Sequence, residues 1–135
     1  MKIARRITMF LTALFVGIVL IERVPGVLVN TDVAHEWLMF GIFKISLVDD
    51  ITHAISGLAG IIALCIGSRA TIKYLMVIGG YYALDALFYV TFGIFTGQNL
   101  IGNLLLNGPH IGIAILVFIA LRLTVTHIEI VGAKK

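Results

Sequence analysis

Charge, proline and cysteine are all scarce in this chain. Only 13% of its 135 residues are Asp, Glu, Lys or Arg, against 60% hydrophobic. A soluble domain carries about a quarter of its residues charged, and a water-soluble fold would have nowhere to put this much apolar side chain. The single cysteine, Cys65, lies inside an apolar run, so a disulfide framework and a cysteine zinc site are both excluded within one chain. The two prolines, Pro25 and Pro109, leave long stretches unbroken. No complete catalytic, nucleotide-binding or metal-binding signature occurs. The formal charge of +3 does not point to nucleic acid, because the basic residues flank apolar runs instead of forming a stripe interleaved with aromatics.

What is present is a set of apolar runs of membrane-spanning length. Residues 7–24 form the first, preceded by Lys2, Arg5 and Arg6 and closed by Glu22, Arg23 and Pro25-Gly26. At 1.5 Å per residue such a run approaches the hydrocarbon thickness of about 30 Å. A cleavable signal peptide is the competing reading, but no small-x-small site follows, which favours a retained helix. Further spans are predicted over 50–67, 71–95 and 109–126. The turn Gly67-Ser68-Arg69-Ala70 separates the second from the third, and an uncharged loop over 96–108 precedes the fourth. Pro109 suits a first helical turn, where its missing N–H costs nothing. Between the first two spans, Thr31 or Asp32 can cap a short interfacial helix starting near Val33, with Trp37 at headgroup depth and Phe43 to Ser46 extended. The expected fold is therefore all-α: one four-helix transmembrane domain over 1–135, with a short interfacial helix in the first extracytoplasmic loop.

The orientation follows from lysine and arginine. Lys2, Arg5, Arg6, Arg69, Lys73, Arg122, Lys134 and Lys135 fall on one side of a four-span chain, and only Arg23 and Lys44 on the other. This bias places both termini in the cytoplasm of a multi-pass cell-membrane protein. Five acids, Glu22, Asp32, Glu36, Asp49 and Asp50, gather on the outer face. A weak internal repeat adds to the pattern: Asp50-Ile-Thr-His53 opens the second span as Asn107-Gly-Pro-His110 opens the fourth. It sets His53 and His110 at nearly equal depth.

Along the second span His53, Gly57, Gly60, Leu64 and Gly67 recur at helical spacing. Gly57, Gly60 and Gly67 are thus expected to be a helix-packing face within the bundle or between copies, and His53 to point inward. Asp50 could cap that helix and hold His53 in one tautomer. The simplest reading of His53 is an interfacial histidine bonded to a neighbouring helix. A sharper one pairs it with His110 to ligate haem b, or a transition metal completed by Asp49 or Asp50. Two histidines are an incomplete ligand shell, so no cofactor is predicted outright. Asp85 lies near the middle of the third span, where a carboxylate is costly unless neutral or paired and marks a functional site by default. Tyr81, Tyr82 and Tyr89 are candidate hydroxyl partners on its own helix. By helix rise Asp85 is expected roughly 10 Å deeper than His53, too far for shared ligation but bridgeable by water. His35, Glu36, His127 and Glu129 read as solvated surface groups, and Cys65 as packing.

The stretch from Gly41 through Asp49-Asp50-Ile-Thr-His53 to Gly57 and Gly60 resembles a widespread prokaryotic family of small four-helix membrane proteins known only as a domain of unknown function. Leu106-Asn107-Gly108-Pro109-His110 is similar to its second helix-opening histidine motif, and Gly79 to Tyr82 to its third-helix glycine-tyrosine segment. The likeness covers roughly residues 41–120. It implies a fold and a membrane address, and no activity.

The sequence-level expectation is a non-enzymatic accessory or structural membrane protein. Its outer mouth of His53, His110, Asp49 and Asp50 would bind a protein partner, a second copy, a lipid headgroup or an ion. A haem or metal redox protein using His53 and His110 is the second reading, and a proton or ion pathway through Asp85 the third.

Overall fold

The computed structural model describes residues 2–31 and 36–132. Its helices are α1 (Lys2–Ile21), α2 (Leu47–Ile66), α3 (Ser68–Phe95), α4 (Leu100–Leu106) and α5 (Gly108–Gly132). All but α4 are long and apolar enough to cross a membrane. The four long helices read from the sequence are present, with shifted ends. α1 begins at Lys2, so Arg5 and Arg6 belong to its first turns. α2 begins at Leu47 rather than Asp50, because Ser46 is its cap. The Ser46 hydroxyl accepts from the Asp49 amide (3.3 Å), and the Asp49 carboxylate accepts from the Ser46 amide (2.9 Å) in a reciprocal capping box. The capping role expected of Asp50 therefore belongs to Ser46 and Asp49.

Gly67 alone makes the turn from α2 to α3. Its φ of 125° lies in the region open to glycine, and no neighbour approaches where a Cβ would sit. It serves the turn and packs against no neighbouring helix of its own bundle. Gly57 and Gly60 do form such a face, against α1. A Cβ at Gly57 would meet the Val16 side chain at 2.9 Å, and the Thr12 and Tyr74 hydroxyls occupy the space a Cβ at Gly60 would need.

Among the described residues the connection from α1 to α2 is a three-stranded antiparallel meander, with strand where the interfacial helix expected from Val33 would continue past Glu36. Strands β1 (Leu28–Thr31), β2 (Glu36–Met39) and β3 (Phe43–Ile45) pair in that order, with Leu28 opposite Met39 and Met39 opposite Phe43. Val29, Thr31, Phe43 and Ile45 are of the β-branched and aromatic types that favour strands. Phe40 (φ 55°) and Gly41 (φ 70°) close the second hairpin in left-handed conformations that no helix could carry forward. The extended reading of residues 43–46 holds for β3. The expectations for Asp32, Val33, His35, Lys134 and Lys135 lie outside the described residues, as do those for the side chains of Glu36, Trp37, Lys44, His127 and Glu129.

In the bundle α1 packs chiefly on α2 and α3 on α5, while the α2–α3 hairpin joins the pairs and α1 also touches α3 and α5. Leu11, Phe15, Leu75, Ile78, Tyr82 and Val117 form the core. Large apolar side chains such as Leu58, Val77, Leu84, Leu87 and Phe118 face outward. That outer surface suits lipid, which is as apolar as the side chains it meets. Cys65 is on it too, exposed rather than packed.

The loop read over 96–108 contains α4. Asn99 caps it by accepting from the Ile101 and Gly102 amides, and the buried Asn103 amide donates to the Val90 carbonyl (2.7 Å). Asn107 in turn donates to the Asn103 side chain (2.7 Å). These bonds lay α4 back along the last turns of α3, beside Gly93, whose missing side chain leaves room for Asn103. The end of α3 therefore runs on past the level at which α5 begins.

Candidate functional site

Because α3 overshoots α5, a carboxylate near its middle by residue count is level with the third residue of α5. Asp85 Oδ2 lies 2.5 Å from His110 Nδ1, with the side chains 16% and 29% exposed. The depth difference expected from helix rise is thus corrected for His110, which Asp85 touches directly. The two atoms meet off-line, so neither makes an aligned hydrogen bond. The tyrosines expected as hydroxyl partners do not fill that role. Tyr81 and Tyr89 are 44% and 49% exposed on the outer surface.

Tyr82 instead turns into the bundle and joins the two histidines. The His53 ring stacks on Phe15 (5.9 Å between centroids), Phe15 stacks on Tyr82 (5.4 Å), and Tyr82 stands edge-on to His110 (5.1 Å). One ring from each long helix enters this row: His53 from α2, Phe15 from α1, Tyr82 from α3 and His110 from α5. His53 is buried, and its Nδ1 has no hydrogen-bond partner. Asp49, Asp50 and His110 are all within electrostatic reach of it. The tautomer-fixing bond expected from Asp50 is not made, because the Asp50 carboxyl faces Glu22.

Glu22 follows the last residue of α1 and is only 6% exposed. Burial pushes its pKa up to about 7, the adjoining Asp50 carboxyl adds to the rise, and Arg23 partly offsets it. As two carboxylates the pair would leave Glu22 Oε1 and Asp50 Oδ1 buried without a donor. A single shared proton supplies one. A like-charged neighbour disfavours the ionised form, so Glu22 holds its proton toward neutral pH.

His110 and Asp85 meet, His53 joins them through the ring row, and Asp50 reaches His53 electrostatically while pairing with Glu22. Asp49 is committed to the α2 cap by a 2.7 Å bond from the Ser46 hydroxyl. Among the described residues no group of three or more His, Cys, Asp or Glu side chains is arranged to hold a metal ion.

Sequence reasoning missed Glu22, Phe15 and a set of buried hydroxyls. Thr8, Thr12 and Tyr82 are buried with oxygens that make no hydrogen bond, and the Tyr74 hydroxyl donates to the Ser56 carbonyl (3.2 Å). Glu22 carried a signal in its place beside Arg23 at a span end, where it reads as an ordinary interfacial acid. Phe15 and the threonines carried none, since a phenyl ring or a threonine on an inward helical face is indistinguishable from packing.

Comparison of the chain with family models, with curated proteins and with solved structures gave no match, so the likeness of residues 41–120 to the four-helix family stands on its motifs alone.

Proposed function

We propose that this is a multi-pass cell-membrane protein that binds and passes protons at a histidine–carboxylate cluster in one mouth of its bundle. The observation that carries the reading is the contact of Asp85 with His110 between α3 and α5. A carboxylate and an imidazole drawn together inside an apolar bundle can exchange a proton over one short step. Asp/His sets within spans are the residue types of membrane proton relays. The Glu22–Asp50 pair at the same mouth supports the reading, because burial and a like neighbour leave Glu22 free to load and unload a proton near neutral pH.

The lysine and arginine bias supports an orientation with both termini in the cytoplasm, which turns this mouth outward. The motif likeness over 41–120 supports membership of the small four-helix family. Protons then enter past Glu22 and Asp50 and reach His53 and the Asp85–His110 pair.

The test is proton flux into liposomes of phosphatidylcholine and phosphatidylglycerol. A lumenal pH dye reads the flux under a potassium-diffusion potential. The parent protein is expected to carry flux above empty vesicles, and Asp85→Asn, which removes the acid but not the shape, to lose it. Equal flux from the two would sink the reading.

A further inference from the structure

Three of the threonine hydroxyls bond back to their own helix: Thr71 to the Gly67 carbonyl (2.9 Å), Thr96 to the Phe92 carbonyl (3.0 Å) and Thr124 to the Ala120 carbonyl (2.7 Å). This is how a threonine ordinarily satisfies itself in an apolar helix. Thr8 and Thr12 depart from it. Both are buried on the inner face of α1, at 0% and 8% exposure, and neither hydroxyl makes an aligned hydrogen bond. A buried hydroxyl without a partner forfeits the hydrogen bonds it had to water, so two on one face call for a partner.

Their surroundings are polar. Thr12 and the Tyr74 hydroxyl converge on the same point beside Gly60, where the absent side chain leaves room for both. Tyr74 lies within hydrogen-bonding reach of Thr12 and donates to the Ser56 carbonyl. On the other side of Ser56, the Tyr82 hydroxyl comes within reach of the Ser56 side chain without an aligned bond, and it too is an orphan at 1% exposure. The Tyr82 ring then abuts His110, which holds Asp85. Thr8 lies one helical turn below Thr12, toward the end of the bundle that bears Lys2, Arg5 and Arg6.

We infer that Tyr82, Ser56, Tyr74, Thr12 and Thr8 line an internal water column that carries protons from the histidine–carboxylate mouth to the opposite end of the bundle. The inference rests on the proton reading of the mouth and adds the second half of the route. Each orphaned oxygen gains a water as partner, and polar sites of this kind hold ordered water where apolar cavities stay dry. Transfer along the column breaks one O–H bond as it forms the next. Each hydroxyl or water accepts a proton on its oxygen and releases its own to its neighbour. No group is oxidised, and one proton leaves at the Thr8 end for each that enters from the His110–Asp85 pair.

The experiment uses the full chain in the same liposomes. Thr12→Val keeps the volume of the side chain and removes the hydroxyl, and Thr12→Ser restores it. Flux is expected to fall at least about tenfold in Thr12→Val and to return in Thr12→Ser. Thr8→Val gives the same reading should Thr12→Val fail to fold. Flux lost in Asp85→Asn but kept in both valine variants overturns the column alone. Flux kept in all of them overturns the proton reading of the mouth on which the column rests, and a parent no leakier than empty vesicles overturns both. Hydrogen–deuterium exchange followed in the infrared gives a second readout. The Tyr74 and Tyr82 hydroxyls are expected to exchange quickly in the parent and slowly in Thr12→Val, and slow exchange in both would count against internal water.

Discussion

Asp85 on α3 and His110 on α5 touch, at 2.5 Å, although one lies mid-helix and the other in a first turn. Each is the natural partner of the other, and removing either leaves a charged or polar group largely sheltered from water. His110→Phe is expected to destabilise the bundle by about 1–3 kcal/mol, because it strands the Asp85 carboxylate. The double variant with Asp85→Asn should recover part of that loss. Unfolding in mixed micelles across the four-member cycle measures the coupling, for which about 1 kcal/mol is expected between contacting groups. Additive losses would show that the contact contributes nothing.

Glu22 predicts a pH dependence of stability. Its folded pKa of about 7 stands above its ordinary value of 4.5. The folded protein therefore holds this proton more tightly than the unfolded chain does. The resulting stabilisation is fully present below about pH 4.5 and is lost as pH rises through about 7. Water at the mouth reduces the loss to roughly 1–2 kcal/mol. Glu22→Gln keeps a neutral side chain at every pH. The variant should match the parent near pH 4.5 and exceed its stability at pH 8, as read from thermal unfolding in detergent. Parallel curves for the two proteins would contradict a shared proton at Glu22.

Gly60→Ala tests the close approach of α1 to α2. The added methyl meets the Thr12 and Tyr74 hydroxyls, so one helix must move. An overpacked contact of this kind costs about 1–3 kcal/mol. Gly80→Ala, where nothing lies within 4 Å, is the control. It should be neutral or mildly stabilising, since alanine is the better helix former. Equal melting temperatures for the two variants would mean that α1 and α2 are not seated at Gly60.

Ser46→Ala removes the cap of α2 and should cost about 0.5–2 kcal/mol. Proton flux per folded molecule should not change, because Ser46 and Asp49 satisfy each other at the helix start. A drop in flux without a drop in stability would move Asp49 from the cap into the proton route.

The four long helices were legible because each apolar run is bounded by charge, glycine or proline, and the lipid-facing surface asks for little beyond hydrophobicity. The meander was not, since a Val- and aromatic-rich connector supports either an interfacial helix or strands until the Phe40–Gly41 turn decides. α4 was hidden in a loop of asparagines whose capping and buried roles depend on where α3 passes. His53, His110 and Asp85 stood out as polar residues in apolar runs. Their relation did not, because depth counted along one helix says nothing about how far that helix overshoots its neighbour. Phe15 and Thr12 were invisible for a different reason. A ring or a hydroxyl on an inward face becomes part of a site only through what the other helices bring to it.

The overshoot of α3 ties the site to the membrane around it. At 1.5 Å per residue the 28 residues of α3 span roughly 42 Å, and the 20 of α1 and α2 roughly 30 Å. One lipid slab cannot match both lengths. In a thin bilayer Phe88, Phe92 and Phe95 stand clear of the hydrocarbon, and in a thick one they are covered, at a cost of fractions of a kcal/mol per Å of mismatch. Acyl-chain length thereby sets how deep the Asp85–His110 pair lies below the water.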